Sequence, residues 1–74
     1  MTLLQRRDAE RRMARFYRLW ADADLWGRVT VVREWGRIGQ AGKVRVDFHD
    51  NPEDAAAWLA RIERTKRRKG YAAP

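Results

Sequence analysis

The apolar residues of this chain change their spacing once, at Asn51-Pro52. Before that point they recur at every second position, as in Lys43-Val44-Arg45-Val46-Asp47-Phe48-His49. After it, Ala55, Trp58, Leu59 and Ile62 fall at i, i+3, i+4 and i+7. Period two suits a strand with one buried face, and period 3.6 suits an amphipathic helix. Strands first and a helix last, without alternation, argue against a parallel βαβ unit. The pattern predicts an α+β fold: a small antiparallel β-sheet of three to four strands with one C-terminal α-helix packed on it.

Local signals place the elements. Thr2-Leu3-Leu4-Gln5-Arg6 is a short strand candidate, and Asp8-Ala9-Glu10 turns the chain. Arg15 to Trp20 forms a second strand, with Phe16, Arg18 and Trp20 on one face and Tyr17 and Leu19 on the other. Asp22-Ala23-Asp24 reads as its hairpin connection. Arg28 to Ile38 is the longest extended stretch, stiffened by Val29, Thr30, Val31 and Val32. Gly39-Gln40-Ala41-Gly42 offers two residues able to take positive φ at the reversal. In the next strand Val44, Val46 and Phe48 are expected inward, with Lys43, Arg45, Asp47 and His49 in water. Asn51 suits a helix cap, Pro52 the first helical position, and Glu53 and Asp54 the positive end of the helix dipole. Gly70 stops the helix after about Lys69. The expected organisation is a single domain over 1–74. Residues 1–12 form a basic N-terminal arm or edge strand, 13–49 the strands, 51–69 the helix and 70–74 a tail.

Length and composition narrow the function. Seventy-four residues suffice for one small domain, and with no cysteine its core must be held by packing, to which four Trp, two Tyr and two Phe contribute. There is neither Ser nor Cys, and the one His, His49, has no histidine partner. A nucleophile-and-base site and a zinc cluster are therefore not expected, nor any cofactor or enzyme activity. The glycines lack the Gly-Lys-Ser/Thr continuation of a phosphate loop. No apolar run approaches the ~20 residues of a membrane span, and no signal-peptide pattern follows the N-terminal arginines. The expectation is a cytoplasmic protein without membrane contact.

Charge points to a polyanion. Seventeen Lys and Arg against ten Asp and Glu give a net charge of +7, and fourteen of the seventeen are Arg, whose planar fork matches phosphate oxygens. The excess is concentrated. Residues 61–69 hold six cations and only Glu63, while 47–54 hold Asp47, Asp50, Glu53 and Asp54. Along the helix, Thr65, Lys66 and Lys69 continue the azimuth of Trp58 and Ile62, so the inward stripe turns cationic before the helix ends. Those cations either complement the dipole or reach a ligand. Trp35 and Arg37 have the same strand parity, roughly 7 Å apart, with Gly36 leaving the backbone between them open. Such a pair can stack on a base or sugar and bind the adjoining phosphate. Spacing alone favours an indole packed under the helix beside a snorkelling guanidinium.

Trp35-Gly36-Arg37-Ile38-Gly39 is preceded by Met13-Ala14-Arg15-Phe16-Tyr17. It is followed by Gly42-Lys43-Val44-Arg45, Ala55 to Leu59 and Lys66-Arg67-Arg68-Lys69-Gly70-Tyr71. In this order, from about Leu3 to Tyr71, the motifs resemble the WGR domain family. A second Trp-Gly-Arg, Trp26 to Arg28, lacks the Ile-Gly continuation and reads as coincidence. The family occurs in poly(ADP-ribose) polymerases, where it contacts DNA near strand breaks, and as short stand-alone bacterial proteins. The resemblance implies a non-catalytic nucleic-acid module, with DNA favoured over RNA, nucleoid-associated in the cell. Trp35 would lie against a terminal sugar, Arg37 against the backbone or a neighbouring domain, and Arg68 or Lys69 against a phosphate. Gly36, Arg45, Lys66 and Tyr71 complete the candidate set with Arg12, which stands where stand-alone relatives often have Asn. The competing readings are a protein-interaction adaptor, because Trp, Tyr and Arg also anchor protein interfaces, and an RNA-binding module, which would use the same stacking and phosphate contacts.

Overall fold

A computed structural model describes all 74 residues. Four strands, β1 (Thr2–Asp8), β2 (Met13–Ala23), β3 (Val29–Arg37) and β4 (Lys43–His49), form an antiparallel sheet in the order β1-β2-β3-β4, and α1 (Pro52–Arg68) follows. This is the α+β architecture expected from the change of period. β1 runs two residues beyond the Thr2–Arg6 stretch, and β2 runs through Asp22 and Ala23 instead of turning there. The turn begins at Asp24, whose carboxylate accepts from the backbone N–H groups of Trp26 and Arg28, each at 2.9 Å, and from Arg28 Nε at 2.8 Å. Desolvation pushes the Asp24 pKa up, but these hydrogen bonds and the Arg28 charge outweigh it and hold the carboxyl below its usual range. The second Trp-Gly-Arg lies in this turn, with Trp26 exposed and Gly27 at φ +80°.

The helix covers one face of the sheet. Leu4, Tyr17, Leu19 and Ile62 form one buried cluster and Val29, Val31 and Ala55 another, with Trp58 and Leu59 packed against both. The apolar stripe is therefore on the side predicted for it. Asn51 Oδ1 accepts from Asp54 N–H at 2.9 Å with Pro52 opening the first turn, a cap that contributes roughly 1 kcal/mol. Lys69 is the C-cap and Gly70 ends the helix at φ +95°. No helix is long and apolar enough to cross a membrane.

β4 reverses the expected faces. Val44, Val46 and Phe48 lie on the side away from the helix, 59%, 44% and 80% exposed, while Asp47 and His49 are half-buried on the helix side. Register decides this. Val31 must face Ala55 in the core, and Val31 pairs with Asp47, so the pleat puts Asp47 on the helix face whatever the pattern of β4 itself. Asp47 is accommodated there by Arg33, whose Nη2 lies 3.1 Å from Oδ2.

The Trp35-Gly36-Arg37 tripeptide also follows from the pleat. Trp35 and Arg37 face the helix side, and Gly36 faces the other, where Phe16 is 7% exposed although no helix covers it. The absent side chains make its niche. A Cβ on Gly36 would stand 3.5 Å from the Phe16 ring, and one on Gly42 would stand 2.9 Å from it and 2.5 Å from the Trp35 carbonyl oxygen. Gly39 takes the positive φ of the turn, at +86°, but Gly42 does not; Gly42 is required by close approach.

Candidate nucleic-acid interface

Three strands and the helix end converge on one patch. Tyr17 stacks on Trp35 with ring centroids 5.9 Å apart and planes 17° from parallel, and Tyr71 meets Tyr17 edge-on at 6.3 Å. The Lys66 ammonium sits 4.5 Å from the Tyr17 ring centroid and 5.5 Å from that of Tyr71. Beside them opens a cleft of about 500 Å³ bordered by Trp35, Gly36, Arg37, Lys66 and Tyr71, and also by Arg15 and Lys43. No carboxylate borders it. The aromatic stack thus fixes one side of the indole, and the cleft bordered by its half-buried remainder is also lined by four cations.

Charge placement here is unfavourable for the free protein. Arg6 pairs with Arg15 and Arg15 with Arg37 in the strand registers, so three guanidinium groups stand in a row on the helix face. None of the three makes an ion pair, although Arg11, Arg18, Arg28, Arg33, Arg45 and Arg67 all do. Like charges directly opposite across a ladder destabilise it. An anion lying over the row removes that cost. Burial first, then the charges of Lys69 and Arg33, lower the Lys66 pKa from its ordinary 10.5. A half-buried ammonium facing rings is likewise relieved by a phosphate.

The sequence-derived residues divide by position. Trp35, Gly36, Arg37, Lys66 and Tyr71 come together. Arg12 borders an adjoining depression that shares Arg15 and Arg37 with the cleft. Its φ of +51° is left-handed, a region that Asn tolerates better than Arg. Arg45 lies outside the cleft, 66% exposed and 3.6 Å from Asp47. Arg68 and Lys69 are exposed at the helix end and do not border it. Sequence reasoning missed Arg15 and Lys43. Arg15 shares the parity of Tyr17, but only the pairings Arg15 with Arg37 and Trp35 with Lys43 bring these two cations to the indole. No group of three or more His, Cys, Asp or Glu side chains is placed to hold a metal ion.

The family model described as "WGR domain" matches residues 1–74. "Uncharacterized protein y4dW" of Sinorhizobium fredii (strain NBRC 101917 / NGR234) is 37% identical over 68 residues, which cover 92% of this chain and 33% of that protein. The chain thus spans about a third of the length of this curated relative. No solved structure matches it.

Proposed function

The chain belongs to the WGR domain family, and from that premise we propose that it is a non-catalytic nucleic-acid-binding module gripping one sugar-phosphate segment at an end or break of duplex DNA. The observation that carries this reading is the acid-free cleft in which Trp35, Arg15, Arg37, Lys43 and Lys66 meet. The indole offers an apolar surface to a sugar or base that only a terminus leaves uncovered. The guanidinium groups donate charge-assisted hydrogen bonds to the adjoining phosphates. Arg68 and Lys69, outside the cleft, extend the positive field along the backbone without reading sequence.

Anisotropy competition among blunt duplex, nicked duplex, closed circle, single-stranded DNA and single-stranded RNA, at two salt concentrations, tests the proposal. Blunt and nicked duplex outcompete the circle. With four to six phosphates neutralised, log K falls against log salt at a slope of about −3.5 to −5.5. Equal binding to circle and ends reduces the reading to generic basic adhesion, and a flat salt response removes it.

Lys66 adds a pH signature. Its pKa in the free protein is lowered, and a phosphate beside it favours the charged form. Affinity is therefore full below the lowered pKa and declines as pH rises through it, in the alkaline range under 10.5. Stability moves the opposite way, because between the folded pKa and 10.5 the unfolded chain binds the extra proton, so stability rises with pH in that window. Lys66→Arg keeps its charge and flattens the decline in affinity. A decline of the same size in Lys66→Arg assigns the effect to another group.

A further inference from the structure

The two edges of the sheet are finished differently. The outer edge of β1 is closed at its middle by the C-terminal tail: Gln5 N–H donates to Ala72 O at 2.7 Å and Ala72 N–H to Gln5 O at 2.9 Å. β4 pairs only with β3. Its seven residues contain no proline or bulge, and the edge is guarded only by the charges of Lys43, Arg45 and Asp47, which a partner strand of matching charge can satisfy.

β4 is complementary to itself. Set antiparallel to a second copy about Val46, it places Val46 opposite Val46, Val44 opposite Phe48, Arg45 opposite Asp47 and Lys43 opposite His49. Every apolar residue of the helix-free side meets an apolar residue, and on the helix side Arg45 meets the carboxylate of the other copy, pairings of a favourable kind, to which Lys43 opposite His49 adds nothing. The neighbouring registers of equal parity fail. Centring on Arg45 brings two guanidinium groups onto the axis, and centring on Asp47 brings two carboxylates there. Val32 pairs with Val46 within one copy, so the Val46 register also joins the apolar rows of both sheets.

The charge of the whole molecule favours the same arrangement. Asp22, Asp24, Asp50, Glu53 and Asp54 gather where β2 and β4 end and the helix starts, whereas Lys43, Arg37 and Lys66 gather where β4 begins. Antiparallel pairing sets the acidic end of each copy beside the basic start of the other, which offsets the repulsion between two molecules of net charge +7.

We propose that β4 is a self-recognition edge, through which two copies of this chain join into one eight-stranded sheet about a two-fold axis at Val46. The interface is smaller than that of a stable dimer, so it forms in the range of about 10 µM to 1 mM. Over this range the sedimentation mass rises from 8.8 kDa towards twice that value, and the β4 amides turned away from β3 gain protection from hydrogen exchange as it does. Val46 is already 44% exposed, so Val46→Lys and Val46→Asp keep the fold, as circular dichroism checks. Each variant alone stays monomeric at every concentration, and an equimolar mixture of the two recovers the doubled mass. A constant 8.8 kDa for the unaltered chain overturns the proposal. So does a doubled mass without protection of β4, or one that both single variants retain.

Discussion

Trp35→Ala combined with Arg37→Ala brings the affinity for blunt and nicked duplex down to that for closed circle, a loss of roughly 100-fold. A base or sugar stacked on an aromatic contributes about 1–3 kcal/mol and a hydrogen bond to a charged group about 1.5–3 kcal/mol. Neighbouring effects rarely add in full, so about 3 kcal/mol for the pair is the appropriate scale, at 1.4 kcal/mol per tenfold. Trp35 also stacks on Tyr17, and a thermal melt of the variant separates impaired binding from impaired packing. Trp35→Phe with Arg37 intact retains a ring against Tyr17 and recovers part of the preference. Arg68→Ala and Lys69→Ala, outside the cleft, behave differently: they weaken binding to circle and ends alike and flatten the salt slope by about 0.9 for each phosphate that is no longer neutralised. A double variant at Trp35 and Arg37 that still prefers ends removes the indole and guanidinium from the proposed grip.

Gly42→Ala produces the largest loss of stability expected from a single methyl group in this chain, about 2–3 kcal/mol. The new Cβ would stand 2.5 Å from the Trp35 carbonyl oxygen and 2.9 Å from the Phe16 ring, and the nearer neighbour is backbone, which cannot swing aside. The β3–β4 reversal must open to admit it. In a domain of this size that corresponds to a melting temperature roughly 10–20 °C lower. Gly36→Ala is milder, because its Cβ approaches Gly42 Cα at 3.0 Å and the Phe16 ring at an ordinary 3.5 Å. Thermal melts of both variants check the order. Equal melting temperatures for Gly42→Ala and the unaltered chain contradict the close approach of Gly42 to Trp35.

Features written locally were legible in the sequence. Asn51, Pro52 and the Ala55, Trp58, Leu59 and Ile62 stripe fixed the helix start and its buried side, because a cap and a 3.6 period need no knowledge of the partner. The limits of β4 were equally plain, but its faces were not. An edge strand at the margin of the covering helix takes its orientation from the neighbouring ladder, and the parity of Val31 overrode the alternation of Val44, Val46 and Phe48. The cleft was half legible for the same reason. Trp35 and Arg37 share parity within one strand, and helical azimuth points Lys66 at the sheet. Arg15 and Lys43 reach the indole only through registers between strands, which depend on turns such as that held by Asp24.

Phe16 has a consequence for how the cleft could be controlled. Its ring is wedged against Gly36 and Gly42 on the side of the sheet opposite to Trp35 and Arg37, one backbone layer away from them. A compound that displaced the ring from behind would warp the strand end bearing both side chains without competing for the space a nucleotide would occupy. Such a compound would weaken nucleic-acid binding only by a finite factor that levels off as the compound saturates, whereas a competitor for the cleft would weaken it without limit.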